Sequence, residues 1–282
     1  MSSYRELLNE AQNKMLEADL GEQAALFYLL ELTDMKSHNL YMEMDEEVDS
    51  EIEAKYKEGI ERLLTGEPLG HILGFEWFYG YRFKVSENVL IPRPETEELV
   101  GYVLAAYDEM FEGKDVIACD IGTGSGAIAI SLKLEEPRLH IVASDISEEA
   151  LEVARENAKE LNANVSFLCG SMLEPLIERN IKVDILVSNP PYIKSDAQME
   201  KSVVDYEPHV ALFGGEDGLK FYRMIFENAH KVLKDKAFMA FEMGYDQKDD
   251  LIALAKQYYP KARIEAIQDM NRKDRMLFVY ID

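Results

Sequence analysis

The chain has 282 residues, of which 47% are hydrophobic, and this length suits one large domain and one small one. Its formal charge of -24 at pH 7 and its lack of a basic run argue against tight binding to the phosphates of nucleic acids. No apolar run approaches the roughly 18 residues needed to span a bilayer, and the N-terminus lacks the basic and apolar regions of a signal peptide.

The two cysteines, Cys119 and Cys169, lie far apart in separate apolar, strand-like runs. This pattern predicts two buried thiols in a reducing compartment, and neither a disulfide nor a metal site. The five histidines show no spacing typical of metal ligands. We therefore expect a cytoplasmic protein without a metal, a membrane contact or a nucleic acid partner.

Residues 1–72 have the pattern of a small helical bundle. Ser3 and Glu6 fit a capping box at the start of the first helix. The run at 24–30 is apolar on nearly every side, which predicts a central helix. A third helix carries its apolar residues on one face and ends at Gly66. The residues on that face are Val48, Ile52, Tyr56, Ile60 and Leu63.

Between residues 75 and 91 the pattern changes to aromatic and β-branched residues on either side of Tyr79-Gly80, which predicts a β-hairpin. We expect residues 73–93 to form a hairpin linker between two domains. The proline-rich segment that follows leads into a helix that begins near Glu97. The second domain is then expected to occupy residues 94–282.

Strands and helices alternate after residue 114, which is typical of a mostly parallel sheet covered by helices on both faces. The strand candidates are residues 116–120, 140–145, 165–169, 183–188, 237–243, 263–268 and 276–281. Ser147 is expected to cap the helix after the second strand, and further helices are expected at 217–234 and 246–258. The sequence thus predicts the α/β class, with a doubly wound seven-stranded sheet and a small N-terminal helical bundle.

The first of these strands ends in a glycine turn, G-T-G-S-G at 122–126. Glycines let the backbone turn tightly and approach a ligand, and the free N–H groups of the next helix suit a carboxylate or phosphate. The spacing differs from the G-x-G-x-x-G that holds a pyrophosphate. Asp145 closes the second strand, where an acid can accept both hydrogen bonds of a ribose diol. Together these features predict a nucleoside-binding site.

The fourth strand leads into a second turn, Asn189-Pro190-Pro191-Tyr192. The two prolines fix a stiff segment that has carbonyl groups but no N–H donors. The Asn side chain adds another carbonyl and the Tyr ring adds a flat face, so this N-P-P-Y turn can hold a planar NH2 group by both hydrogens. Because Asn-Pro is also an ordinary turn initiator, the location of the turn decides between the two interpretations.

The expected topology brings the two turns together. The first and fourth strands are neighbours at the switch point of a doubly wound sheet, where a ligand crevice opens at their carboxyl ends. The glycine turn follows the first strand and the N-P-P-Y turn follows the fourth. We therefore expect a nucleoside-bearing cofactor and a clamped nitrogen in one crevice.

Residues 115–192 resemble a Class I S-adenosylmethionine-dependent methyltransferase of the amino-methylating type. Three flanking motifs, P-L-G-H-I-L-G at 68–74, V-L-I-P-R-P-E-T-E at 89–97 and E-P-x-x-A-L at 207–212, are similar to the HemK/PrmC family. The resemblance covers nearly the whole chain. It implies methylation of the glutamine side-chain amide in the Gly-Gly-Gln loop of peptide-chain release factors, with S-adenosylmethionine as cofactor and S-adenosylhomocysteine as product.

The resemblance also implies roles for individual residues. The cofactor is expected to contact Gly122, Thr123, Gly124, Ser125, Gly126, Asp145, Met172 and Asn189. Catalysis is assigned to Asn189, Pro190 and Tyr192, and binding of the substrate glutamine to Asn189, Pro190, Pro191 and Tyr192. Ser171 and Met172 stand where relatives commonly have an acid followed by a bulky residue, and Met172 can pack against a purine. The N-terminal domain is expected to recognise the release factor, and the protein is expected to be a monomer.

Three other functions would use some of the same residues. An adenine exocyclic-amine DNA methyltransferase would clamp the same NH2 group, but it must also grip phosphates and flip a base, which the net charge disfavours. A ribosomal-protein glutamine methyltransferase usually departs from R-P-E-T in the segment after the hairpin, and this motif is intact at 93–96. A non-enzymatic nucleoside-sensing module is disfavoured because cofactor and clamp residues are both present.

Overall fold

The computed structural model describes residues 2–197 and 201–281, with the backbone alone at 201–203. Met1 and Asp282, the first and last residues of the predicted domain ranges, lie outside this set. The described chain divides into two compact units, residues 2–74 with 201–206 and residues 75–197 with 207–281. None of the helices in the described ranges is long and apolar enough to cross a membrane.

The described chain contains both helices and strands, and most of the strands come after residue 115. The helices are α1 Tyr4–Glu17, α2 Gln23–Thr33, α3 Ser37–Met42, α4 Ser50–Leu64, α5 Leu69–Leu73, α6 Pro94–Phe111, α7 Ala127–Glu135, α8 Glu148–Glu160, α9 Glu174–Glu178, α10 Lys201–Tyr206, α11 Lys220–Ala229 and α12 Lys248–Tyr258. The strands are β1 Phe75–Phe78, β2 Tyr81–Lys84, β3 Val116–Ile121, β4 Leu139–Asp145, β5 Val165–Cys169, β6 Val183–Ser188, β7 Leu233–Glu242, β8 Arg263–Gln268 and β9 Asp274–Ile281.

The first unit is helical, and its first helix begins as the sequence predicts. The Ser3 hydroxyl accepts a hydrogen bond from the Glu6 N–H at 3.2 Å, and the Glu6 carboxylate accepts one from the Ser3 N–H at 3.0 Å. This reciprocal pair is the predicted capping box. The third predicted helix is α4, where Asp49 accepts from the Glu51 N–H at 2.8 Å. The short helices α3 and α5 were not predicted.

The predicted helix at residues 24–30 is α2, and all of these residues except Phe27 are part of the apolar cluster of the first unit or pack against it. In α2, Ala25, Tyr28 and Leu29 are buried, but Phe27 is 54% exposed. The buried side of α2 is fixed by Tyr28, which stacks on Tyr56 of α4 with ring centroids 5.6 Å apart.

The second unit begins with the predicted hairpin. Strands β1 and β2 pair antiparallel, and the turn residues Tyr79 and Gly80 have φ angles of 51° and 79°. Two successive left-handed residues form the type I′ turn whose twist matches a two-residue hairpin. Phe78 and Phe83 of the hairpin are buried in the core of this unit.

A seven-stranded sheet forms the centre of the second unit, in the order β5-β4-β3-β6-β7-β9-β8. The neighbouring pairs from β5 to β7 are parallel, and β9 runs antiparallel to both β7 and β8. Two apolar clusters share the buried sheet residues between them, which is the two-sided covering expected of this architecture. The prediction of a doubly wound α/β sheet is confirmed.

The pairing of β3 with β6 sets the position of the two predicted turns. Asp120 lies opposite Val187 in this parallel register. One residue further on, the Ser188 hydroxyl donates to the Ile121 carbonyl at 2.6 Å. Both strands therefore end at the same level, and the turns that follow them leave the sheet side by side, as the topology rule predicts.

Several predicted details were wrong. The helix expected at 217–234 is α11, which begins only after Gly218, where φ is 76° and the chain is not yet helical, and which ends at Ala229. The strand expected from residue 237 is β7, which already begins at Leu233. The helix expected near Glu97 begins at Pro94, because proline suits the first helical position. Cys119 is buried as predicted, but Cys169 is exposed. Since Cys169 lies on β5 at the edge of the sheet, it has a neighbouring strand on one side only.

We predict that Gly59→Ala destabilises the first unit. A Cβ at Gly59 would lie 2.1 Å from a ring atom of Tyr28, so the stacked rings of α2 and α4 must shift. Overpacking of this kind costs roughly 1–3 kcal/mol, whereas the gain in helix propensity returns only about 0.5–1 kcal/mol. Denaturant unfolding followed by circular dichroism measures the difference.

Gly21→Ala is the matched control for this substitution, because a Cβ at Gly21 meets no atom within 4 Å. Its free energy of unfolding should stay within about 0.5 kcal/mol of that of the unmodified chain. Equal stability of the Gly59 and Gly21 variants would contradict the tight packing of Tyr28 against α4.

Candidate active site

An open cavity of about 290 Å³ lies at the carboxyl ends of β3, β4, β5 and β6. Its size is in the range of small-molecule sites. The predicted site residues that line it are Gly122, Gly124, Asp145, Met172, Asn189 and Pro191. Thr123, Ser125, Gly126, Pro190 and Tyr192 do not line it. Among the described residues, no group of three or more His, Cys, Asp or Glu side chains could hold a metal ion.

Glycine is required at the three positions of the glycine turn for two different reasons. Gly122 and Gly124 have φ angles of 73° and 55°, and a Cβ at either would meet no protein atom within 4 Å. Both are cavity-lining, so their missing side chains leave room for a ligand. Gly126, with a φ of 83°, packs instead: its Cβ would lie 2.8 Å from Ile130 and 3.2 Å from Ala154. Gly126 thus lets α7 pack closely against α8.

Asp145 joins the end of β4 to the glycine turn. One carboxylate oxygen accepts the Gly124 N–H at 2.9 Å, and the other accepts the Ser147 N–H at 3.0 Å. Burial raises the pKa of Asp145, and these two backbone N–H groups oppose that rise. Each oxygen keeps a further lone pair, so the carboxylate can still accept hydrogen bonds from a ligand in the cavity. Ser147 also accepts from the Ala150 N–H at 3.1 Å, as the predicted helix cap.

Thr123 supports the turn from inside the protein. Its hydroxyl donates to Asp120 Oδ2 at 2.6 Å, and Asp120 Oδ1 has no hydrogen-bond partner among the described residues. Burial raises the pKa of Asp120 to about 7, with a smaller contribution from the charge of Asp145. This carboxyl therefore changes its charge near neutral pH. No role was assigned to Asp120 from the sequence.

The N-P-P-Y turn is connected to a buried hydrogen-bond chain. Asn189 Nδ2 donates to Thr96 Oγ1 at 3.2 Å, and Thr96 Oγ1 donates to Glu242 Oε2 at 2.6 Å. From the other side, the Tyr192 hydroxyl donates to Glu242 Oε1 at 3.4 Å. Glu242 is 2% exposed. Tyr192 thus contacts the Glu242 carboxylate directly and Asn189 is linked to it through Thr96, which the sequence did not predict.

Gln247 is a further residue that the sequence did not single out. Its side-chain amide donates to the backbone carbonyls of Tyr192 at 3.1 Å and Gly218 at 3.3 Å, while its oxygen accepts the Gly244 N–H at 2.9 Å. Burial raises the pKa of the Tyr192 phenol, which keeps its hydroxyl protonated and able to donate. Tyr192 is therefore held at its backbone and at its hydroxyl.

An ion pair explains why two of the flanking motifs occur together. Arg93 of the R-P-E-T segment pairs with Glu207 of the E-P-x-x-A-L segment, and the Glu207 side chain is 1% exposed. Pro208 and Ala211, in the same segment as Glu207, line the cavity. The pair therefore anchors a wall of the site to the N-terminal end of α6.

Comparisons with known proteins agree with this geometry. A family model described as "Methyltransferase small domain" matches residues 104–206, and one described as "PrmC N-terminal domain" matches residues 6–74. A protein of Bacillus anthracis named "Release factor glutamine methyltransferase" is 43% identical over 98% of this chain and 99% of its own length. A protein of the same name from Bacillus subtilis is 41% identical over 100% of this chain and 99% of its own.

A solved structure shares the fold. The crystal structure of a methyltransferase from Pyrococcus furiosus is 18% identical and superimposes with a TM-score of 0.53. The match covers 79% of this chain and 98% of the other. At this level of identity it supports the architecture of the sheet and helices and nothing more specific.

We predict that Asp120→Asn makes stability less dependent on pH. An aspartate whose pKa rises from 3.8 to about 7 on folding binds a proton more tightly in the folded state. Its contribution to stability is therefore present at low pH and lost as pH rises from about 4 to about 7. The melting temperature of the variant, relative to the unmodified chain, should increase between pH 5 and pH 8. A difference that does not change over this range would contradict a buried, neutral-pH carboxyl at position 120.

Proposed function

The chain belongs to the HemK/PrmC family of release factor glutamine methyltransferases, and on this premise we propose its reaction. It transfers a methyl group from S-adenosylmethionine to the side-chain amide nitrogen of the glutamine in the Gly-Gly-Gln loop of peptide-chain release factors. The observation that carries the proposal is the position of Asn189, which lines the same cavity as Gly122, Gly124 and Asp145. An amide-binding turn and a nucleoside-binding turn thus open into one space.

The cavity residues fit the cofactor. Gly122 and Gly124 leave their side-chain positions open beside it, and the Asp145 carboxylate keeps lone pairs for a ribose diol. Met172 lines the cavity after β5, where an apolar side chain can pack against a purine. When bound, S-adenosylmethionine supplies an electrophilic methyl group on a sulfonium sulfur. The carboxylate of Asp145, which lines the cavity, would favour that positive charge.

The N-P-P-Y turn would hold the nucleophile. An amide nitrogen is a poor nucleophile because its lone pair is delocalised into the carbonyl group. Binding of its two hydrogens by the Asn189 side-chain carbonyl and the Pro190 backbone carbonyl would orient the nitrogen and stabilise the positive charge that develops on it. Tyr192 would cover the amide plane, and its ring would add on the order of 1 kcal/mol of attraction for that charge. The transfer leaves a positively charged nitrogen with two hydrogens; this cationic amide is strongly acidic and loses one proton to solvent, so no dedicated base is required.

Three further roles are part of the proposal. The first unit, which contains the residues matched as the PrmC N-terminal domain, would recognise the release factor beyond its Gly-Gly-Gln loop. The protein would act as a monomer on a substrate of the cytoplasm. The formal charge of -24 supports a protein substrate over a nucleic acid one, because a DNA or RNA methyltransferase has to bind phosphates.

Methyl transfer from labelled S-adenosylmethionine tests the proposed function directly. We expect label on a purified release factor and none on the same factor with its loop glutamine changed to alanine. Duplex DNA with unmethylated adenines and ribosomal proteins are the two control substrates. Label on either of these, with none on the release factor, would overturn the proposal in favour of the corresponding alternative.

We predict that Asn189→Ala lowers kcat by about 10²-fold or more, because it removes one of the two acceptors that orient the amide. The free energy of unfolding should change by less than about 1 kcal/mol, since Asn189 makes one side-chain hydrogen bond. Asn271→Ala, at an exposed position in the same unit, is the matched control and should keep full activity. An Asn189 variant with most of its activity would exclude the proposed clamp.

A further inference from the structure

The hydrogen-bond chain behind the N-P-P-Y turn has a fixed direction. A carboxylate can only accept, so Glu242 must receive the hydrogens of both hydroxyls that reach it, those of Thr96 and Tyr192. A hydroxyl has a single hydrogen, and that of Thr96 is used at 2.6 Å from Glu242. The Thr96 oxygen then offers only lone pairs to Asn189. It can accept from the NH2 group of Asn189 but cannot donate to its carbonyl.

This direction determines how the Asn189 amide is placed. The two ends of an Asn amide are nearly equal in shape, so packing alone does not choose between them. Because the Thr96 oxygen can only accept, it pairs with the Asn189 side-chain nitrogen, which lies 3.2 Å from it. The carbonyl oxygen of Asn189 is then left facing away from Thr96, free to accept a hydrogen from a bound amide.

We propose that Glu242 is a positioning residue that, through Thr96, fixes the Asn189 side chain with its carbonyl oxygen available to the substrate NH2 group. The inference rests on the proposed function, in which that oxygen accepts a hydrogen of the glutamine amide. Glu242 is 2% exposed, and its two carboxylate oxygens accept from the Thr96 and Tyr192 hydroxyls, so it acts through these two side chains and not by touching the substrate.

The sheet brings Glu242 to this place. Ser188 at the end of β6 lies opposite Phe241 of β7, so the next residue of each strand, Asn189 and Glu242, comes at the same level. Thr96 is in the first turn of α6 and is 5% exposed. A carboxylate buried at such a point is expensive unless hydrogen bonds satisfy it, and its two hydroxyl partners do so while orienting the turn.

Two charged side chains act on Glu242, those of Glu95 and Arg275, and Arg275 Nε also pairs with Asp269 Oδ2 at 3.3 Å. Burial and the charge of Glu95 raise the pKa of Glu242, whereas the Thr96 hydroxyl, the Arg275 guanidinium and the Tyr192 hydroxyl lower it. Tyr222 donates its hydroxyl to the Glu242 backbone carbonyl at 2.6 Å and not to the carboxylate. Loss of the negative charge as pH falls would free the Thr96 hydrogen, so kcat should fall on the acid side.

Substitutions at Thr96 test the direction of the hydrogen bonds that link Asn189, Thr96 and Glu242. Thr96→Val keeps the shape of the side chain but removes the hydroxyl, whereas Thr96→Ser keeps the hydroxyl. We expect kcat to fall on the order of 10- to 100-fold for the Val variant and by less than about 3-fold for the Ser variant. The affinity for S-adenosylmethionine, measured by calorimetry, should change by less than about 3-fold in both, because Thr96 does not line the cavity.

Glu242→Gln tests whether the acceptor-only carboxylate of Glu242 sets the direction of these hydrogen bonds. A glutamine has one donor and one acceptor end, so it must donate either to Thr96 or to Tyr192. In either orientation one of the two side chains loses its acceptor, and kcat should fall at least 10-fold. The acid-side fall in kcat should also disappear. The double variant Glu242→Gln with Thr96→Val should lose little more activity than the Thr96→Val variant, because the two residues act as a unit.

A readout that does not need catalysis separates this inference from the proposed function. The side-chain NH2 signal of Asn189, identified by nuclear magnetic resonance from its loss in Asn189→Asp, should report a hydrogen bond in the unmodified protein. It should shift in the folded Thr96→Val variant and stay near its original position in Thr96→Ser. If release factors are not methylated but the signal behaves in this way, the proposed function fails and the placement of Asn189 stands.

The inference would be overturned by either of two results in folded protein. The first is a Thr96→Val variant with unchanged kcat and an unchanged Asn189 signal. The second is a loss of activity that is the same in Thr96→Ser and Thr96→Val, since this would indicate a packing role for Thr96. Melting temperatures of all variants establish that each is folded.

Discussion

The parallel pairing of β3 with β6 is the constraint on which the rest of the site depends. It places the ends of two strands, 67 residues apart in sequence, at one level, and the Ser188 hydroxyl joins them through the Ile121 carbonyl. The glycine turn and the N-P-P-Y turn can open into one cavity only because neither strand is longer than the other at this edge. A register shift of one residue would move one turn by about 3.3 Å relative to the other and would turn the side chains of that strand to the opposite face of the sheet.

At this edge of the sheet, one acidic side chain lines the cavity and two others are buried behind the turns. Asp145 lines the cavity and keeps lone pairs for a ligand, whereas Asp120 lies behind the glycine turn and holds Thr123. Glu242 lies behind the other turn and holds Thr96 and Tyr192. Each turn therefore has a buried carboxylate as its support. Burying these carboxylates reduces stability unless each is hydrogen-bonded. Hydroxyls of the turns and of α6 reach both oxygens of Glu242 but only one oxygen of Asp120.

The sequence predicted those parts of the site whose chemistry lies in contiguous residues. The glycine turn and Asn189–Tyr192 carry their own conformational signals, and the handedness and order of a doubly wound sheet bring them together. Thr96 and Glu242 could not be paired in this way, because their contact joins residues 146 apart through side-chain hydrogen bonds. A signal did exist: Glu242 is an acid at the end of the apolar strand next to β6. Only the register between β6 and β7 gives that acid a partner.

The incorrect predictions about the fold have a similar cause. Apolar sequence predicted burial for Phe27 and Cys169, yet burial depends on what lies on the other side of each element. Phe27 is 54% exposed although its neighbours in the run pack into the apolar cluster of the first unit, and Cys169 is on the edge strand β5. Hairpin and capping signals were more dependable, since the turn at Tyr79-Gly80 and the cap at Ser3 involve neighbours in the chain.

The absence of N–H donors in the prolines of the N-P-P-Y turn has a consequence for how many times one glutamine can react. An unmodified amide nitrogen brings two hydrogens to the two acceptors of the proposed clamp. After one transfer the nitrogen keeps a single hydrogen, and the prolines of the turn have no N–H to offer in place of the lost one. One acceptor is then left unpaired and the new methyl group takes the place of the lost hydrogen. On the proposed roles, the clamp binds its product less well than its substrate, which favours a single methyl group on each glutamine and the release of the modified loop.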